Sequence, residues 1–132
     1  MMVTHASIAG IALGLLAGAG LSHRPQEAPA APSPAELALG DSIFHGKVGG
    51  ALCFVCHGPA GKGVAGLGPN LTDKEWVNGD GTLAFIERVV TEGVAKPKRM
   101  PAPMPPKGGG QLTESQIKAA AAYVHSLSQP RK

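Results

Sequence analysis

Two cysteines two residues apart, followed at once by a histidine, are the side chains of this sequence best suited to chemistry: Cys53-Phe54-Val55-Cys56-His57. The spacing C-x-x-C-H reads as a c-type haem attachment site. Thiols at that separation match the two haem vinyl groups, to which they add as thioethers. The adjoining imidazole then lies under the iron as an axial ligand. A group bonded this way cannot dissociate, so the motif predicts one covalently held, one-electron redox centre. Two other uses of such residues fit less well. Structural zinc takes four protein ligands, and the chain has only two cysteines, with no H-x(3–5)-H after them. A thioredoxin-like dithiol belongs at a helix start in a βαβ pattern. Strand-like runs of β-branched and aromatic residues are nearly absent here.

The second axial position decides what such an iron can do. A thioether is a soft donor that favours Fe(II) and raises the potential relative to a second imidazole. Met100 (RMPAP) and Met104 (PMPPKGGGQL) both lie in a proline-rich stretch. Extended, proline-stiffened backbone suits a ligand strap, because it presents a side chain without internal hydrogen bonds. Position alone leaves the choice between them open. The remaining histidines are weaker ligand candidates. His5 and His23 precede the folded region, His45 falls in the first predicted helix, and His125 lies near the chain end.

Elements that could position these residues are marked by helix caps. Ser33-Pro34-Ala35-Glu36 has the form of a capping box with proline at the first helical position. The helix it opens carries Leu37, Gly40, Ile43, Phe44 and Val48, and is expected to end at Gly49-Gly50. Thr72-Asp73-Lys74-Glu75 repeats the box and predicts a short helix bearing Trp76, closed by Gly79-Asp80-Gly81. Thr82 starts a third helix with Leu83, Ile86, Val89 and Val90 on an apolar stripe and Gly93 as its stop. Thr113-Glu114-Ser115-Gln116 opens a fourth, in which Ile117, Ala120, Ala121, Val124 and Leu127 recur at helical spacing. The pattern is all-α, with a helical turn at the C-x-x-C-H. Two long connections remain: glycine-rich Gly58 to Asn70, and Val94 to Gln111 with five prolines and three consecutive glycines. Stretches of this length are uncommon in a compact domain unless functional or disordered. Draping over a haem edge would explain both.

The chain has 132 residues, and its two ends differ in kind. Ala6 to Leu21 is uncharged, and Ala17 and Ala19 are spaced for an A-x-A cleavage before Gly20. Residues 1–21 are therefore expected to be a secretory leader, with an uncleaved membrane anchor over residues 3–21 as the alternative. Sixteen helical residues make only about 24 Å, short of a roughly 30 Å hydrocarbon core. Either way the remainder is expected in the periplasm, where bacteria attach haem c. Residues 22–34 are Pro/Ala-rich and read as a semi-rigid linker, leaving 35–132 as the domain. Such a domain is small for a self-sufficient core, with only Phe44, Phe54, Trp76, Phe85 and Tyr123 as aromatics. A bound haem would supply the missing apolar body. The formal charge is +3, and Lys96, Lys98, Arg99 and Lys107 crowd one segment. That segment is either a solvated basic loop or a docking face for an acidic redox partner, worth more in encounter rate than in affinity. Basic residues are not interleaved with stacking aromatics, so nothing points to nucleic acid.

The order CFVCHGPAGKG, GLGPNLTDKEW, MPAPMPPKGGG and LTESQIKAAAAYVHSL resembles class I monohaem cytochromes c. It is most similar to bacterial small cytochromes and to the cytochrome c modules of membrane oxidase complexes. The resemblance implies a cytochrome c fold of about four to five helices around one covalently attached haem c. Cys53 and Cys56 would be its thioether sites and His57 its proximal ligand. Pro69 would offer its carbonyl to the proximal imidazole N–H, with Asn70, Leu71 and Trp76 in the haem pocket. Gly40 and Phe44 would cross the last helix near Ala120 and Tyr123. MPPKGG followed by Leu112 matches the family's ligand segment better than MPAP does, which favours Met104 over Met100. The function implied is electron transfer without catalysis. A periplasmic carrier in a respiratory or photosynthetic chain is the first expectation; an anchored subunit of a larger oxidoreductase complex is the alternative.

Overall fold

Side-chain hydroxyls start three of the helices, because each satisfies a backbone N–H that the first helical turn leaves without a partner. In the computed structural model, which describes residues 30–130, the Ser33 hydroxyl accepts from Glu36 N at 3.1 Å and opens α1, Pro34–Phe44. The attachment motif itself forms α2, Cys53–His57. Thr82 accepts from Phe85 N at 3.2 Å and opens α3, Leu83–Glu92, which Gly93 closes at φ 72°. Thr113 opens α4, Glu114–Leu127, with both halves of its capping box formed: Gln116 N to the Thr113 hydroxyl, and Thr113 N to the Gln116 side chain at 2.9 Å. Among the described residues there is one further element, the 3₁₀ turn η1, Pro106–Gly109, and no strand. The expected all-α class is therefore observed. The expected leader or anchor, and the linker up to residue 29, lie outside the described residues.

Two boundaries differ from expectation. No helix forms at Thr72, because its hydroxyl and N–H both donate to Asn70 Oδ1, at 2.8 and 2.9 Å, while Asp73 accepts from Glu75 N. Short polar side chains offered the backbone a local alternative to the helix. Trp76 therefore sits on an irregular segment. The first helix also stops at Phe44 rather than at Gly49, with His45 as its C-cap.

α1 packs on α4, and α3 packs against α4 and η1. The α4 side of this packing is a run of buried alanines, Ala119 to Ala122, small enough for close approach. Gly40 meets it with no room for a side chain. A Cβ there would lie against the Ala119 carbonyl oxygen and 2.6 Å from Tyr123 Cβ. Phe44 and Tyr123 pack beside this crossing, their ring centroids 5.5 Å apart. Gly40→Ala should consequently lower stability by about 1–3 kcal/mol, despite alanine's better helix propensity. A thermal melt tests this; an unchanged midpoint would contradict the close crossing.

Candidate functional site

A cavity of about 350 Å³ opens between α2, α3, α4 and the two long connections. Its wall is overwhelmingly apolar, including Phe85, Ile86, Val89 and Val90 of α3 and Ala120 and Val124 of α4. Every site residue expected from the sequence lines it: Cys53, Cys56, His57, Pro69, Asn70, Leu71, Trp76, Met100 and Met104.

The helical turn of α2 brings Cys53, Cys56 and His57 to one wall. Both cysteines are free thiols, and burial raises the Cys53 pKa above its ordinary value. His57 is buried, and its Nδ1 lies 2.9 Å from the Pro69 carbonyl oxygen. A carbonyl only accepts, so Nδ1 carries the proton. Burial lowers the His57 pKa, against a smaller opposing effect of the Pro69 bond. The ring is thus held neutral, and Nε2 keeps its lone pair for a metal. Such an N–H to carbonyl contact fixes ring orientation and ligand basicity.

The chain around Pro69 is tightly folded on α2. Gly63 N donates to the His57 carbonyl at 2.7 Å, and Val64 pairs with Gly68. Gly68 passes so close that a Cβ would lie 2.7 Å from the Cys56 carbonyl oxygen. Gly68 is thus the glycine that lets this connection close on α2. Trp76 lines the same cavity, edge-on to Phe85 at 6.5 Å between centroids.

The proline-rich connection also lines the cavity, and it is more ordered than a structureless strap. Met104 and Val94 exchange two backbone hydrogen bonds, at 2.8 and 3.0 Å, which pin Met104 to the end of α3. Leu52 N donates to the Gly108 carbonyl and Gln111 N to the Gly49 carbonyl, so the triglycine seals against the start of α2. Met100 sits on the intervening segment, whose contacts are the exposed Arg99–Glu75 ion pair and Lys98 N donating to Asn78 Oδ1 at 3.2 Å.

Among the described residues the cavity wall holds one histidine and no lysine or arginine. His45 and His125 are not part of it. Among the described residues no group of three or more His, Cys, Asp or Glu side chains is arranged to hold a metal ion by itself. The residues present fit a haem. Two thiols, a neutral imidazole with a free lone pair, and two thioethers face a largely apolar space. Three exposed apolar side chains at its wall, Leu52, Val55 and Leu67, were not foreseen. Nor was the role of the α3 stripe, whose periodicity showed an apolar face without showing that it faces a cavity.

Comparison with known proteins places the sequence in a family. The family described as "Cytochrome C oxidase, cbb3-type, subunit III" matches residues 35–124. The chain is 45% identical over 93 residues to the cbb3-type cytochrome c oxidase subunit FixP of Bradyrhizobium diazoefficiens, covering 70% of this chain and 28% of that protein. It is 41% identical over 85 residues to subunit CcoP of Rubrivivax gelatinosus, covering 64% of this chain and 25% of that protein. The chain thus spans about a quarter of the length of these relatives. Among the described residues no helix is long and apolar enough to cross a membrane. With the attachment motif, the Pro69 contact and the helix order in place, the chain belongs to the cbb3-type cytochrome c oxidase subunit III family as a class I c-type cytochrome module.

Proposed function

We propose that this protein passes single electrons within a cbb3-type oxidase assembly on the periplasmic face of the membrane, through one haem c held by Cys53, Cys56, His57 and Met104. The observation that carries this reading is the convergence of α2, the Pro69 carbonyl and both methionines on one apolar cavity. When bound, the group supplies a one-electron Fe(II)/Fe(III) couple. His57 offers Nε2 as a fixed donor, because the Pro69 carbonyl holds the other ring nitrogen. Met104 offers a thioether from backbone anchored to Val94. The largely apolar wall would lower the polarity around the group, which is one of the protein's means of setting a potential. Peroxidase-like chemistry would call for a distal His or Arg, and among the described residues the cavity wall supplies two methionines, no arginine and no histidine besides His57.

Membership of the oxidase family moves the balance between the two expectations. The free carrier, expected first, gives way to the oxidase-subunit reading, which shares its redox chemistry and differs in what the domain is attached to. Under either reading an acidic redox partner would be drawn to the basic segment carrying Lys96, Lys98, Arg99 and Lys107.

The test is to export the protein in a host that matures c-type cytochromes and record its pyridine haemochrome. One haem per chain, with pigment retained by the protein in acidified organic solvent, is the expected result. Colourless protein, or pigment lost to the solvent, would sink the reading.

A further inference from the structure

His45 does not line the cavity, yet it lies directly behind its wall. Its ring is edge-on to Phe44, with centroids 5.2 Å apart, and stacks against Phe54 at 6.2 Å. Phe44 lines the cavity, and Phe54 lies between the two cysteines. Both ring nitrogens face backbone carbonyls. Nδ1 lies 2.9 Å from the Asp41 carbonyl oxygen, one turn back in α1, and Nε2 lies 2.9 Å from the Pro59 carbonyl oxygen. Pro59 is two residues beyond His57.

Carbonyl oxygens only accept, and a neutral imidazole has one N–H. Only the imidazolium can satisfy both contacts. On losing its proton, the ring must set a bare lone pair against one of the two oxygens. The brace between α1 and the loop leaving His57 is therefore complete only when His45 is charged. We propose that His45 is a proton-operated positioning residue, which braces the His57 loop when charged and couples the potential of the redox centre to pH. This rests on the haem reading above.

The surroundings agree in sign. The Asp41 carbonyl, then the Pro59 carbonyl, raise the His45 pKa above its ordinary 6.5, with partial burial opposing. The charged groups acting on the ring are the Asp41 carboxylate of α1, 3.2 Å from Nδ1, which adds to the rise, and Lys47 just beyond the end of α1, which lowers it. From α4 the facing titratable group is the Tyr123 phenol, 6.5 Å away between ring centroids. α2 contributes Phe54, and the loop contributes the uncharged Pro59. Because the folded-state value is raised, the brace stabilises the fold fully below pH 6.5. That stabilisation is lost as pH rises through the folded-state value.

A positive charge behind the cavity wall favours the reduced, less positive centre. Linkage is reciprocal, so His45 binds its proton more tightly in the reduced protein. At pH values between its two affinities, His45 takes one proton from solvent as the centre gains one electron, and returns it on oxidation.

Two measurements on the haem-loaded protein test this. One is a redox titration from about pH 5 to 9, the range in which histidines change charge, on the unmodified protein and His45→Gln. The other is NMR titration of the His45 ring in the unmodified ferrous and ferric states, which needs no variant to fold. The potential is expected to fall as pH rises through the His45 titration, to lack that step in His45→Gln, and the ring pKa is expected to be higher in the ferrous state. Equal His45 pKa values in the two states would overturn the proposal. So would a step that persists in His45→Gln, since it would then belong to another group such as a haem carboxylate. A preparation without covalent haem overturns the haem reading and this proposal together; a haem-loaded protein with an oxidation-insensitive His45 overturns this proposal alone.

Discussion

Cys53→Ala combined with Cys56→Ala is expected to leave a domain without fixed tertiary structure once haem is removed. The cavity of about 350 Å³ is lined by many of the core side chains, among them Phe44, Leu71, Phe85, Ile86, Val90 and Val124. An unfilled cavity costs about 24 cal/mol per Å³, which here comes to about 8 kcal/mol. This is an upper value, because the space is partly open to solvent beside exposed Leu52, Val55 and Leu67. Even so it is comparable with the whole stability of a small domain, about 5–15 kcal/mol. Little else could make up the difference. Ile43 and Phe44 are the largest fully buried side chains among the described residues, and α4 adds a run of four alanines with only Ile117 and Val124 as larger buried side chains. The double variant should therefore show weakened far-UV helix signal, collapsed amide dispersion in NMR spectra and strong dye binding to exposed apolar surface. Each single variant keeps one thiol for attachment and should lie between. A haem-free double variant that melts cooperatively at the midpoint of the unmodified protein would contradict the cofactor's place in the core.

Features carried by neighbouring residues were legible from the sequence. The hydroxyl caps at Ser33, Thr82 and Thr113 act over three residues, so a local pattern suffices to find them. The C-x-x-C-H turn is local as well. The Pro69 contact spans twelve residues, and only the family resemblance supplied it. Where sequence reasoning failed, two local options competed. Thr72 has the pattern of a cap, but Asn70 two residues earlier takes its hydroxyl and N–H. The end of α1 was misread because glycines at 49 and 50 are stronger punctuation than His45, whose second partner, Pro59, lies fourteen residues away. The apolar stripe of α3 was found, but periodicity cannot distinguish a face that meets protein from one that meets a cofactor. The choice between carrier and oxidase module was not legible in the site at all, because the same ligands serve both. It came from the similarity of residues 35–124 to the oxidase subunit family.

Met104→Ala is expected to abolish the weak near-infrared sulfur-to-iron charge-transfer band of the ferric protein and to lower its potential, whereas Met100→Ala should preserve both. The two thioethers line one cavity, so reach alone does not separate them; their backbones do. Met104 is paired with Val94 through two hydrogen bonds at the end of α3, and a Cβ on neighbouring Gly93 would lie 2.8 Å from Pro106 N. A donor on that backbone keeps its place whichever oxidation state it serves. Met100 is carried by a segment whose ion pair, Arg99–Glu75, joins side chains 61% and 65% exposed. Exposed pairs contribute about 0–1 kcal/mol, too little to hold a ligand against solvent or against a second thioether already in position. Met100→Ala should therefore cost about 1 kcal/mol of stability, as an ordinary substitution does, with the spectrum unchanged. Loss of the band in Met100→Ala alone would reverse the assignment. It would mean that the proline-stiffened segment, with only exposed contacts to restrain it, presents its sulfur to the iron more firmly than backbone fixed to a helix end.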